Sequence, residues 1–197
     1  MPYSAIGKNL MLNALKGTNP TTPITHVGLA TKGPNITGVT STGSPDTFTK
    51  TSHGLANGDR VVLSGLTGGT GAQVGQPYFV INTATNTFQL SSTVGGSAVD
   101  FGTDITAATV NKVTELSGGS PAYARVAIAF NAAADGTMDD STNGAVINVP
   151  AAAVVDYVEF WSASTAGSEL GIIPVTQETY AGQGTYTVTD ADLDLNA

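Results

Sequence analysis

The chain has 197 residues, 41% of them apolar and 11% charged, with a formal net charge of −8 and no cysteine. That apolar content is enough for a buried core and excludes disorder. The missing thiols exclude disulfides, zinc–thiolate centres and cysteine nucleophiles.

Residues 4–16 predict a helix, with Ser4 as its cap and Gly17 as its stop. Ile6, Leu10, Met11, Ala14 and Leu15 fall on one side of it. That face either docks on a neighbouring subunit or packs across the chain's own sheet. After a Thr/Pro loop at 18–23, residues 24–31 predict a first strand, with Val27 and Leu29 on one face.

From about residue 35 to 113 the chain is dense in Thr, Ser and Gly, and short strands are expected at 46–51, 60–64, 77–82 and 87–91. Asn57-Gly58 and Thr85-Asn86 predict tight turns between them, because these residues tolerate positive φ. Residues 66–75 read as a Gly-rich loop. Beyond Glu115, strands are expected at 123–130, 145–149, 154–162, 170–175, 185–189 and 193–195, with a break at Pro150. Tyr157, Val158, Phe160 and Trp161 are the expected heart of that core. Regular strand spacing with Gly, Asn and Pro between strands predicts an antiparallel sandwich or barrel.

The whole reads as an all-β chain: an antiparallel β-sandwich with one N-terminal helix, interrupted by an inserted small β-barrel. Residues 1–34 and 114–197 form the sandwich domain, and 35–113 are the insertion, placed at a surface loop where insertions are tolerated.

Charge is uneven along this layout. Residues 1–116 hold six Lys/Arg against five Asp/Glu, and residues 117–197 hold Arg125 alone against ten acids. An acidic half repels phosphate backbones and argues against nucleic acid as a partner. Arg125, the single cation there, is expected to pair with Glu159 or Asp156, within the chain or across a subunit contact. No segment reads as an export signal, and no run of about 18 apolar residues reads as a membrane span.

Reactive constellations are not expected. His53 has Asp59 and Ser64 nearby in sequence, but no nucleophile turn or oxyanion donors accompany them. It reads as a histidine bonded within the small barrel, and His26 as a structural strand residue. Residues 65–71 are Gly-rich but lack the Gly-Lys-Ser/Thr of a phosphate loop. Asp139-Asp140 and Asp190, Asp192 and Asp194 could gather calcium, yet they lack the glycine and glutamate of an EF-hand. The expectation is therefore no catalytic residue, no cofactor and no metal.

Two resemblances add to this reading. The run Thr47-Phe48-Thr49-Lys50-Thr51-Ser52-His53-Gly54-Leu55-Ala56-Asn57-Gly58-Asp59-Arg60-Val61-Val62-Leu63-Ser64-Gly65, with Gly75–Val80 and Asn86–Leu90, resembles a small β-barrel module of phage tail and other virion proteins. That module is related to the first catalytic-cysteine half-domain of ubiquitin-activating enzymes; with no cysteine here, no ubiquitin chemistry is implied. The helix, Thr25–Leu29, Leu116–Arg125, Val158–Ala163 and Ala181–Tyr186 resemble a family of phage tail-fibre or minor structural proteins.

The resemblance implies a non-enzymatic virion protein of the tail or fibre region, present in repeated copies and binding other virion proteins. A capsid decoration protein on the head and a host receptor- or glycan-binding adhesin are the alternatives. It would be made in the bacterial cytoplasm without a signal peptide and released by lysis. Ile6, Leu10, Arg125 and Trp161 are the candidate structural or interface residues.

Overall fold

The computed structural model describes residues 23–131 and 144–189, together with the backbone pairing of 137–138 and 193–194. The expected helix, with Ile6 and Leu10, lies outside the described residues, as do Asp139, Asp140, Asp190 and Asp192. The described residues are all-β and contain no helix. Contacts divide them into two units, residues 32–114 and residues 23–31 with 115 onward.

The strands in chain order are β1 (His26–Lys32), β2 (Ile36–Thr42), β3 (Thr47–Thr49), β4 (Arg60–Gly68), β5 (Pro77–Ile81), β6 (Thr87–Ser91) and β7 (Ile105–Glu115). They continue as β8 (Val126–Ala127), β9 (Thr137–Met138), β10 (Ala145–Val149), β11 (Val154–Trp161), β12 (Glu169–Thr179), β13 (Gly184–Val188) and β14 (Leu193–Asp194).

In the 32–114 unit every pairing between named strands is antiparallel, and the ring β2-β3-β6-β5-β4-β7 closes because β7 also pairs β2. Closure removes the exposed edges that open sheets must otherwise protect. Alternating apolar positions fill the interior. Phe48 stacks on Phe88 at 5.2 Å between ring centroids, and Phe101 meets Phe48 and Tyr78 edge-on at 5.9 and 5.4 Å. Offset and edge-on pairs such as these are the favoured geometries of aromatic quadrupoles. Gly58 turns with φ of +89° at the expected Asn-Gly site.

Two strands of this ring were not expected from the sequence, β2 and β7, and a third, β4, runs through the supposed Gly-rich loop as far as Gly68.

In the other unit β11 lies between β1 and β12, β8 pairs the outer side of β1, and β10 pairs β13. Val27 and Leu29 of β1, Val158 and Phe160 of β11, and Ile147 and Val149 of β10 share one core, so both pairing groups contribute to it. Of the expected centre, Val158 and Phe160 belong to this core, while Tyr157 is buried but lies outside it. Trp161 is only half-buried and stands outside that cluster. The strand expected at 123–130 shrinks to the two residues of β8, with an isolated bridge at Phe130.

Candidate functional site around Arg125

The residues quoted from four separate stretches meet around the segment 118–125. Its turn is shaped by Gly119, whose φ is +90°. A side chain there would be strained by that angle, and its Cβ would lie 2.8 Å from Gln183 Oε1. Gln183 fills this space instead. Its Oε1 accepts from the Ser120 N–H at 3.2 Å and its amide donates to the Pro121 carbonyl at 3.1 Å.

Past the turn, Arg125 uses its whole guanidinium. Nε and Nη2 donate to the two oxygens of Glu115, each at 2.7 Å, a bidentate pair of the strong, geometry-specific kind. Nη1 donates to the carbonyls of Ala163 at 3.1 Å and Ala166 at 2.6 Å. The flat face lies 3.4 Å from the centre of the Trp161 ring, a cation–π contact. Only 8% of the Arg125 side chain is exposed, so the ion pair works in a medium far less screening than water.

A second layer holds this pair. The Tyr123 hydroxyl donates to Glu115 Oε1 at 3.0 Å and accepts from the Leu29 N–H at 2.9 Å. Burial raises the Tyr123 phenol far above the ordinary tyrosine range; the Leu29 N–H opposes that, and the charge of Glu115 adds to it. The Trp161 indole N–H donates to Glu159 at 3.2 Å, and Glu159 is fully buried. Gly28 makes room for the assembly, since a Cβ there would stand 2.7 Å from the Tyr123 hydroxyl and 3.3 Å from Arg125 Cγ.

The cluster fastens the β11–β12 connection. The Arg125 bonds to Ala163 and Ala166 act from one side. Ser162 closes the loop by accepting from the Ser168 N–H at 2.8 Å and donating its own N–H to the Ser168 carbonyl at 3.0 Å. Ser164 and Thr165 are left exposed at its tip.

Arg125 and Trp161, both expected as structural residues, are thus brought into direct contact. The expected partner of Arg125 is corrected: Glu115 takes that place, not Glu159 or Asp156. Asp156 instead accepts from Gln177 at 2.7 Å and Thr31 at 3.3 Å. Sequence reasoning missed Glu115 because it closes β7 and had been counted with the less acidic half. Gly28, inside a strand of apolar residues, was the available signal, since a glycine there often marks close approach of other groups.

The two histidines are held differently, His53 by backbone groups and His26 by a hydroxyl. His53 Nδ1 accepts from the Leu55 N–H at 3.0 Å, which places the proton on Nε2, and Nε2 donates to the Ala84 carbonyl at 2.8 Å. His26 Nδ1 contacts the Thr25 hydroxyl at 2.8 Å, and that hydroxyl donates to the Ser162 carbonyl. Among the described residues, no group of three or more His, Asp or Glu side chains is placed to hold a metal ion. Comparison with known proteins finds no matching family model, no matching curated protein and no matching solved structure.

Proposed function

We propose that this chain is a non-enzymatic structural protein of a bacteriophage particle, in the tail or fibre region, present in repeated copies that bind neighbouring virion proteins. The observation that carries the reading is the convergence at Arg125. Gly28, the 118–125 segment, Trp161 and Gln183 come from the stretches on which the tail-fibre resemblance rests, and they join into one cluster that stiffens loops. Residues engaged in this way build a rigid presenting surface. The closed barrel agrees with the module resembled by residues 47–90. We further assign the unit containing β10 to β13 as a β-sandwich, since strands from both pairing groups supply its core.

Immunogold labelling of particles, with antibody raised against the purified chain, tests the location. Gold on the tail is the expected result. Gold on the head would replace the tail reading with a capsid decoration role, and unlabelled particles would overturn the virion assignment.

A further inference from the structure

The Asn57-Gly58 turn leads directly into β4 of the barrel, and both of its residues are exposed. The Asp59 N–H donates to the Ala56 carbonyl at 3.0 Å, so Asn57 and Gly58 are the central pair of a four-residue turn. Gly58 has φ of +89° while Asn57 keeps a negative φ, which makes the turn type II.

Three bonds fasten it to the end of β5 and the loop beyond. The Gly58 N–H donates to the Val80 carbonyl at 2.8 Å, and the Val80 N–H donates to the Asp59 carbonyl at 2.8 Å. The Thr83 N–H donates to Asn57 Oδ1 at 3.0 Å. Asp59 braces the turn from within, accepting from the Ala56 N–H at 2.9 Å and from Lys112 Nζ at 2.7 Å.

An asparagine followed by glycine is poised for a reaction of its own, because the second residue has no side chain to shield its backbone nitrogen. The Gly58 amide would give its proton to hydroxide, its nitrogen would bond to Asn57 Cγ, and the Cγ–Nδ2 bond would break as ammonia leaves. Water then opens the five-membered imide at either carbonyl and leaves aspartate or isoaspartate. Ring closure requires the Gly58 nitrogen to eclipse Asn57 Cβ. In a type II turn ψ of the first central residue is about +120°, which holds that nitrogen about a third of a turn away. The proton that must leave is also spent on the Val80 carbonyl. Reaction therefore needs the Gly58–Val80 bond broken and the 57–58 peptide turned over.

We propose that Asn57 is a deamidation site that the folded barrel holds shut, so that its conversion records opening of the β4–β5 end. The aspartate product keeps an oxygen for the Thr83 N–H and adds a negative charge two residues from Asp59. Isoaspartate inserts a main-chain carbon into the turn, and the bonds to Val80 and Thr83 cannot then all be made. The reaction consumes only water, so it is independent of the assembly reading.

The test holds the full-length protein at mildly alkaline pH, folded in buffer and unfolded in guanidinium chloride. Peptide mapping separates Asn57 from Asn143-Gly144, the other Asn-Gly pair of the chain. Asn57 should convert about thirtyfold more slowly in the folded protein, the factor that breaking two hydrogen bonds of ordinary net strength implies. The Gly58 amide should be protected from hydrogen exchange by a similar factor, and below the unfolding transition both rates should respond to denaturant in the same proportion. A folded-state slowing of less than about threefold, below the worth of one such bond, would overturn the proposal. So would a Gly58 amide that exchanges freely, or one whose exchange and conversion respond differently to denaturant.

Discussion

Polar groups are buried in both units, and they are satisfied differently. In the barrel, His53 is satisfied by backbone groups and Asp46 by the Phe101 N–H and the Ser41 hydroxyl, and the ring of six strands completes the pairing. In the other unit, the side chains of Arg125, Glu115, Tyr123 and Trp161 bind one another. The contrast teaches where tolerance lies. A closed ladder distributes its stability over many equivalent bonds, while a charged cluster concentrates it in a few side chains whose loss strands a partner.

The largest effect should come from the barrel's aromatic centre, which can break the idea that its stability is evenly distributed. Phe48→Ala removes a fully buried ring between Phe88 and Phe101 and should cost about 4 kcal/mol in urea unfolding. A loss below about 1 kcal/mol would mean that the ladder alone carries the unit.

Arg125→Ala comes next, at about 3 kcal/mol, because it leaves the Glu115 carboxylate half-buried without its cation. Arg125→Lys should recover little, since an ammonium cannot reproduce the two-pronged contact or the stacking. Full rescue by lysine, read from the same unfolding curves, would show that charge alone matters.

Gly28→Ala sharpens the comparison further. The added methyl would press on the Tyr123 hydroxyl and should cost about 2 kcal/mol. The loss should be much smaller in a Tyr123→Phe background, where that hydroxyl is gone, and a double-mutant cycle measures the difference.

The smallest effect is one of pH. Tyr123 has its phenol raised in the folded protein, so the neutral form favours folding. The sign follows by linkage: the contribution is complete below the unfolded value of about 10 and declines as pH rises above it. Tyr123→Phe should flatten the alkaline limb of a melting-temperature profile beyond that pH while costing about 1 kcal/mol at neutrality. An unchanged limb would assign alkaline sensitivity to other tyrosines.

Legibility in the sequence followed side-chain contrast. The strand at 145–149 and the core pair Val158 and Phe160 stand out because large apolar residues alternate with, or sit among, clear breaks. β2 and β7 hide because their inward positions are partly filled by Ser41 and Ala108, which a hydrophobic pattern cannot distinguish from loop. β2 is also bulged between Ile36 and Val39, where Gly38 adopts φ of +64°. In the candidate site, Arg125 was conspicuous as a lone cation, and its surroundings were not. Tyr123 reads as strand until its hydroxyl is seen reaching Glu115, and no spacing rule reports that bond.

The two ends of the barrel segment are neighbours: the Gly33 N–H donates to the Lys112 carbonyl at 2.8 Å. A polypeptide whose own termini adjoin can therefore be exchanged for this segment at almost no loop-closure cost. The junction is a natural splice point for grafting reporters or epitopes, and for trading modules between genes without redesigning the host scaffold.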